Sequence, residues 1–275
     1  THSLSFLAHA PSVIFRFVFA AGTRNNNYNG FAFDDFEIKE GSTSADFSND
    51  CINSNTVIFN SNTSLCNASY EWNFNDPASG SNNYSTIPNP THVFSTPGLY
   101  EVFLKVSNGS FTYLVKHSIN IIQVTANVVD GIDCYQSNTG IASAIVTGNN
   151  TITYDFLWNT TPPQTTATAT QLSAGTYQVT VSENNTCTAT ASVVLTEPPP
   201  LQYSTNITQP SCGSNDGSIA LNVGGGSPPY SFTWLPSVST THIAETLTAG
   251  NYKVNITDQH LCSTEANIVL KEKSL

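Results

Sequence analysis

Apolar and polar residues alternate with a period of two along much of this chain. Tyr100, Val102, Leu104 and Val106 point one way while Glu101, Phe103 and Lys105 point the other, the pattern of a half-buried strand. The same period runs through Tyr177, Val179 and Val181, through Ile219, Leu221 and Val223, and through Tyr252, Val254 and Ile256. Turn-forming clusters separate these runs, among them Ser107-Asn108-Gly109, Thr147-Gly148-Asn149-Asn150 and Ala249-Gly250-Asn251. No segment carries an amphipathic helical period. Short strands at this spacing predict an all-β chain of tandem immunoglobulin-like β-sandwich modules in an extended array.

The second half of the pattern is written twice, over residues 125–200 and 201–275. Cys134 and Gly140 match Cys212 and Gly217. Tyr154, Phe156 and Trp158 match Tyr230, Phe232 and Trp234 at an offset of 76. Ala174-Gly175-Thr176-Tyr177 and Cys187 match Ala249-Gly250-Asn251-Tyr252 and Cys262 at an offset of 75. Such units, each with its own core residues, mark a modular array rather than an enzyme built around one cleft. Because both copies keep them on the same strand, Trp158 and Trp234 are expected in the two cores. Glu197-Pro198-Pro199-Pro200 reads as a stiff connector. Residues 268–275 realign with 193–201, so a third copy is expected to follow. Upstream, residues 1–41 and 45–124 form two further blocks, separated by Gly41-Ser42-Thr43-Ser44.

Composition narrows the function. Val, Ile, Thr, Tyr and Phe dominate, Met is absent and only 10% of residues are charged. A net charge of −11 argues against nucleic acid as a partner, since the phosphate backbone requires basic stripes. The most apolar stretch, Val13–Ala20, is short and interrupted by Arg16, so no membrane insertion is expected. The start at Thr1 reads as processed or truncated. Six cysteines, Cys51, Cys66, Cys134, Cys187, Cys212 and Cys262, read as a disulfide framework and hence a secreted, extracellular or cell-surface setting. Their places in the two copies suggest pairing Cys134 with Cys187 and Cys212 with Cys262. Each bond would close a loop of about 50 residues and stabilise a thin core by roughly 4 kcal/mol. No CxxC or HxxxH spacing favours zinc.

Three stretches resemble known families. Tyr70-Glu71-Trp72-Asn73-Phe74-Asn75-Asp76, followed by Asn89-Pro90-Thr91-His92-Val93-Phe94-Ser95-Thr96-Pro97-Gly98-Leu99-Tyr100, resembles a PKD domain, a seven-stranded sandwich. Asn73 and Asn75 depart from that family's usual Asp and Gly. The resemblance puts Trp72 and Tyr100 in the core, gives His92 a structural role, and leaves Cys51 and Cys66 flanking a small loop they would close. The duplicated unit is similar to the SprB-type repeat of Bacteroidota surface adhesins. That likeness rests on Asp133-Cys134 and Ser211-Cys212, the Asn-x-Gly turns at 138–140 and 215–217, and Pro228-Pro229-Tyr230-Ser231-Phe232-Thr233-Trp234. Residues 1–41, with Gly30-Phe31-Ala32-Phe33-Asp34-Asp35, look like the last strands of a MAM-like jelly roll. These resemblances imply cell-surface adhesion, gliding motility and export by the type IX pathway.

Candidate sites are few. No nucleophile elbow, HExxH or phosphate-binding loop occurs, and Gly224-Gly225-Gly226 before Ser-Pro-Pro reads as a loop. No catalytic residue and no cofactor is expected. Asp34-Asp35 is the acidic pair best placed to offer oxygens to Ca²⁺. Tyr28, Tyr84, Phe103 and Trp158 are aromatics to weigh for sugar stacking, and Asn62, Asn67, Asn83 and Asn108 begin glycosylation sequons. The expected function is a non-catalytic segment of a secreted bacterial surface adhesin or extracellular filament. Its partners would be surface glycans, proteins or neighbouring copies of itself, with strands 13–38 complementing another chain in the last case. The alternative is a set of accessory binding modules of a secreted degradative enzyme.

Overall fold

The computed structural model describes residues 44–149, 153–183 and 187–273. The jelly-roll strands, Tyr28 and the Asp34-Asp35 pair lie outside the described residues. The chain divides into two compact units, one ending at Ile121 and the other beginning at Ile122. It is all-β: nineteen strands among the described residues, with a 3-10 segment at Pro77–Asn83.

In the first unit, β1 (Ala45–Cys51), β2 (Thr56–Thr63) and β5 (Thr91–Val93) form one sheet. The facing sheet runs β4-β3-β6-β7 and joins β4 (Tyr84–Ser85), β3 (Ser69–Asn73), β6 (Gly98–Ser107) and β7 (Thr112–Ile121). The alternation predicted for β6 is what the fold uses. Tyr100, Val102, Leu104 and Val106 are buried, and the residues between them face outward. The core is aromatic: Phe47, Phe59, Trp72, Phe74, Phe94 and Tyr100 interlock, with Phe47 and Trp72 edge to face at 5.1 Å.

The second unit is two sandwiches of one design. The first pairs β8 (Gln123–Asp130), β9 (Gly140–Thr147) and β11 (Thr168–Leu172) against β10 (Asp155–Trp158), β12 (Gly175–Ser182) and β13 (Thr188–Leu195). The second pairs β14 (Gln202–Thr208), β15 (Gly217–Gly224) and β17 (Ile243–Leu247) against β16 (Ser231–Leu235), β18 (Gly250–Thr257) and β19 (Ser263–Leu270). The copies agree bond by bond. Trp158 and Trp234, both buried, donate from Nε1 to Thr166 O and Thr241 O, each at 2.9 Å. Tyr177 and Tyr252 donate to carbonyls four residues upstream, at 3.1 and 3.0 Å. Tyr100 does the same in the first unit, to Thr96 O at 2.8 Å. Gln171 and Thr246 occupy the left-handed region at φ 57° and 58°, where β11 and β17 shift register against β9 and β15. Leu, Ile and Val fill most of these cores, with alanines such as Ala142, Ala169, Ala244 and Ala266 among them and one buried Trp in each.

Candidate functional site

The junction between the two repeats is built by a turn, a linker and a loop. The β8–β9 turn carries Cys134, and three polar anchors fix it. Asp133 N–H donates to Thr139 Oγ1 at 2.9 Å, Cys134 N–H to Ser137 Oγ at 3.3 Å, and Gln136 N–H to Glu197 Oε2 at 2.6 Å. Glu197 opens the Pro linker, so the turn lies at the end of the sandwich where the chain leaves it. The linker then lies against the next repeat, with Gly226 N–H donating to Pro199 O at 2.8 Å. Gly225 sits at φ +75°, and a Cβ there would fall 1.9 Å from Pro200 O. Hence Gly225 and Gly226 are a seat for the linker, where only glycine permits so close an approach. Beside it, Asp258 is buried and ties the β18–β19 loop together. It accepts from Ser227 N–H at 2.8 Å, His260 N–H at 3.0 Å and Cys262 N–H at 2.9 Å.

Across this junction Cys134 is bonded to Cys262, with Cα atoms 5.7 Å apart. This corrects the pairing within each repeat that the sequence suggested. The register explains why. Gly175 pairs with Leu195 at one end of the β12–β13 hairpin, and Ser182 with Thr188 at the other. A Cβ on Gly140, just after the Cys134 turn, would touch Leu195 and Leu172, so Cys134 shares their end. Cys187 precedes Thr188 at the opposite end. Seven strand steps separate the two ends, roughly 23 Å, far beyond the reach of a disulfide. Cys212 and Cys262 are kept apart in the same way, and Cys212 is an exposed free thiol. The Cys51–Cys66 loop is not closed either. Cys51 ends β1 opposite Val57, whereas Cys66 follows Thr63, which pairs with Ala45 at the far end. Cys66 is an exposed thiol, and Cys51 and Cys187 are in disulfide linkage.

In the first unit the exposed face of the four-stranded sheet brings Tyr84 and Phe103 together. Both lie in one cross-strand row, with Asn73 paired to each. Leu114 extends the groove, and the Glu71–Lys105 pair at 2.9 Å borders it. Of the aromatics weighed for stacking, these two share a surface, while Trp158 is core. Asn83 is no acceptor for a glycan, because it is buried and its Oδ1 receives Asp76 N–H at 2.6 Å.

Asp76 is the buried group that sequence reading passed over, taking it only as the end of a motif. Its carboxylate accepts from Ser95 N–H at 2.9 Å, from Ser95 Oγ, and from His92 Nε2 at 3.1 Å. Burial pushes its pKa up, but the hydrogen bonds from Ser95 and His92 outweigh burial and hold the carboxyl below its usual range. Burial pushes His92 down, against the pull of Asp76, and leaves it neutral near pH 7. His92 also stacks on Phe74 with centroids 4.2 Å apart. This network closes a loop onto the core, the structural role expected of His92. No group of three metal-ligating side chains occurs among the described residues, nor any helix long and apolar enough to cross a membrane.

Glu197 and Glu272 recur at an offset of 75, the one signal in the sequence that would have exposed the anchors of the two turns.

Comparison with known proteins places family names on two of the three sandwiches. The PKD domain family matches residues 48–110, and the SprB repeat family matches residues 204–239. No curated protein matches the chain. Among solved structures, three N-terminal domains of the bacteriophage RB49 highly immunogenic outer capsid protein are 11% identical. The alignment covers 85% of this chain and 99% of that one, with a TM-score of 0.35. The C-terminal fragment of intimin, solved with the intimin-binding domain of its translocated receptor, is 13% identical over 62% of this chain and 69% of that one, TM-score 0.35. Eight N-terminal immunoglobulin domains of Down syndrome cell adhesion molecule are 12% identical over 81% of this chain and 34% of that one, TM-score 0.32. Family models thus match a PKD domain at residues 48–110 and a SprB repeat at residues 204–239, and the sandwich of β8–β13 has the strand order of the sandwich of β14–β19.

Proposed function

We propose that this chain is a non-catalytic stretch of a secreted bacterial surface adhesin, in which rigid sandwiches hold adhesive surfaces away from the cell. The observation that carries this reading is the Cys134–Cys262 bond. It joins two separately cored modules end to end and does not brace a cleft within one module. A covalent tie at a module boundary suits a spacer that bears load, and a disulfide suits an oxidising exterior. The glycine seat for Pro199 and Pro200 fixes the linker in the same sense. Resemblance to SprB repeats supports gliding motility and type IX export as the setting. Surface proteolysis of intact cells tests the proposal: the chain should be cleaved while cytoplasmic markers survive, and protection until lysis would refute it.

The exposed Tyr84–Phe103 row favours a second reading, a glycan-binding accessory module of a secreted enzyme. Saturable binding to cellulose or chitin that Tyr84→Ala with Phe103→Ala abolishes would support it.

A further inference from the structure

The second repeat ends in the same kind of turn that the first repeat uses to hold its neighbour. Ser211 N–H donates to Asp216 Oδ1 at 2.7 Å, as Asp133 N–H does to Thr139. Gly213 N–H donates to Glu272 Oε1 at 3.0 Å, as Gln136 N–H does to Glu197. Between these matched bonds the first turn holds Cys134-Tyr135 and the second holds Cys212 alone, one residue less. Like Cys134, Cys212 therefore stands at the end where its repeat gives way to whatever follows. It is exposed and free, and its Sγ lies 3.4 Å from Glu272 Oε2. Within its own repeat Cys262 is already bonded, and sits at the opposite end.

We propose that Cys212 is one half of a further inter-repeat disulfide, whose other half is the counterpart of Cys262 in another repeat of this type. The existing bond indicates the partner, since it joins the cysteine of the equivalent turn, Cys134, to the late cysteine of the next repeat, Cys262. The inference goes beyond the spacer reading and holds whatever the modules adhere to. Formation needs an oxidant, for which a low-molecular-weight disulfide serves. The Cys212 thiolate attacks one sulfur of oxidised glutathione and expels a glutathione thiolate. The late cysteine's thiolate then attacks the Cys212 sulfur of that mixed disulfide and expels the second. Two protein thiols are oxidised, one disulfide is reduced to two thiols, and the thiol protons pass to them.

The test extends the full chain after Glu272 with Pro-Pro-Pro and a second copy of residues 201–275. After oxidation with glutathione disulfide, non-reducing peptide mapping reads every linkage. The expected result is a peptide joining Cys212 to the late cysteine of the added repeat, in molecules that keep Cys134–Cys262, and its loss on Cys212→Ser. A monomer on a non-reducing gel assigns the partner to the same chain, and covalent multimers with that peptide assign it to another chain. Both uphold the proposal. Cys212 recovered as a thiol, or bonded to another Cys212, while Cys134–Cys262 is intact would overturn it.

Discussion

The PKD domain and the two repeats reach the same architecture with different cores. In the PKD domain six interlocking aromatic rings fill the space between the sheets, and Asp76, Ser95 and His92 lock a loop onto them. In the repeats, Leu, Ile and Val with some alanines line the sheets, and a single Trp stands in each centre. Sandwiches of that size bury little, so covalent closure contributes proportionately more. The repeats place this closure at the boundary between modules, where it couples neighbours. The PKD domain is marked by its aromatic contents, the repeats by the bond that joins them.

The sharpest way to break that comparison is to remove the staple. Cys134 and Cys262 are 128 residues apart in sequence, and closing so long a loop stabilises by roughly 5 kcal/mol by chain entropy. Replacing both by Ser, which leaves no lone thiol behind, should lower the melting temperature of the second unit. It should also split one calorimetric transition into two, one per repeat. The PKD transition should stay where it is. A single, unshifted transition for the repeats would show that their cohesion comes from the linker contacts instead.

Core truncation probes the other side. Trp72→Ala and Trp234→Ala should each cost about 4 kcal/mol, since both bury an indole and leave a carbonyl without its Nε1–H donor. The outcomes should differ in kind. Trp72 has Phe47, Phe59 and Phe74 around it to collapse inward, whereas the core of Trp234 is aliphatic but for Tyr252. Chemical denaturation followed by circular dichroism should find the PKD domain still folded and the second repeat unfolded. Equal survival of both would mean that the aliphatic cores of the repeats tolerate the loss as well as the aromatic core does.

These differences were only partly legible in the chain. Strand positions and the duplicated Trp and Tyr residues follow from periodicity and repetition, and the His92 role from the PKD resemblance, because each is fixed by neighbours within a module. The cysteine partners do not. A repeat array looks the same whether equivalent cysteines pair within a unit or step to the next, and only strand register shows that Cys134 and Cys187 occupy opposite ends. Asp258 and Asp76 were hidden for a related reason. Each binds groups brought close by folding, and although Asp258 matches Glu183 at the repeat offset of 75, nothing in the alternation marks either as buried. The exposed row of Tyr84 and Phe103 likewise needed the β4-β3-β6 pairing before two separate aromatics became one surface.

Acid should separate the two designs further. His92 is held below its ordinary pKa in the folded domain, so the unfolded chain binds a proton first as pH falls below about 6.5. Stability is lost through that window down to the folded value. Asp76, also depressed, adds a second loss below about pH 4, as protonation removes the acceptor of the Ser95 and His92 bonds. Melting curves should therefore show the PKD transition falling with pH earlier than that of the repeats. His92→Gln should flatten the upper part of that dependence. Asp76→Ala should cost about 3 kcal/mol at neutral pH by orphaning three donors. A PKD transition insensitive between pH 7 and 5 would place the network outside the stability of the domain.

The smallest effect concerns the thiol at the end of the second repeat, where connection and content meet in one side chain. Glu272 accepts from the Cys212 thiol and repels its anion, so hydrogen bond and charge together raise the Cys212 pKa. The same carboxylate anchors Gly213 N–H and so holds the turn in place. Glu272→Gln keeps an acceptor for that N–H and removes the charge. The Cys212 pKa should fall, and alkylation by iodoacetamide near pH 8 should accelerate a few-fold, with the melting temperature unchanged. Mapping distinguishes Cys212 from Cys66, which should react at its former rate. Faster labelling of Cys212 alone would mean that Glu272 restrains this thiol through its charge, keeping it protonated until a partner cysteine and an oxidant arrive. An unchanged rate would leave Glu272 as an anchor of the turn and nothing more.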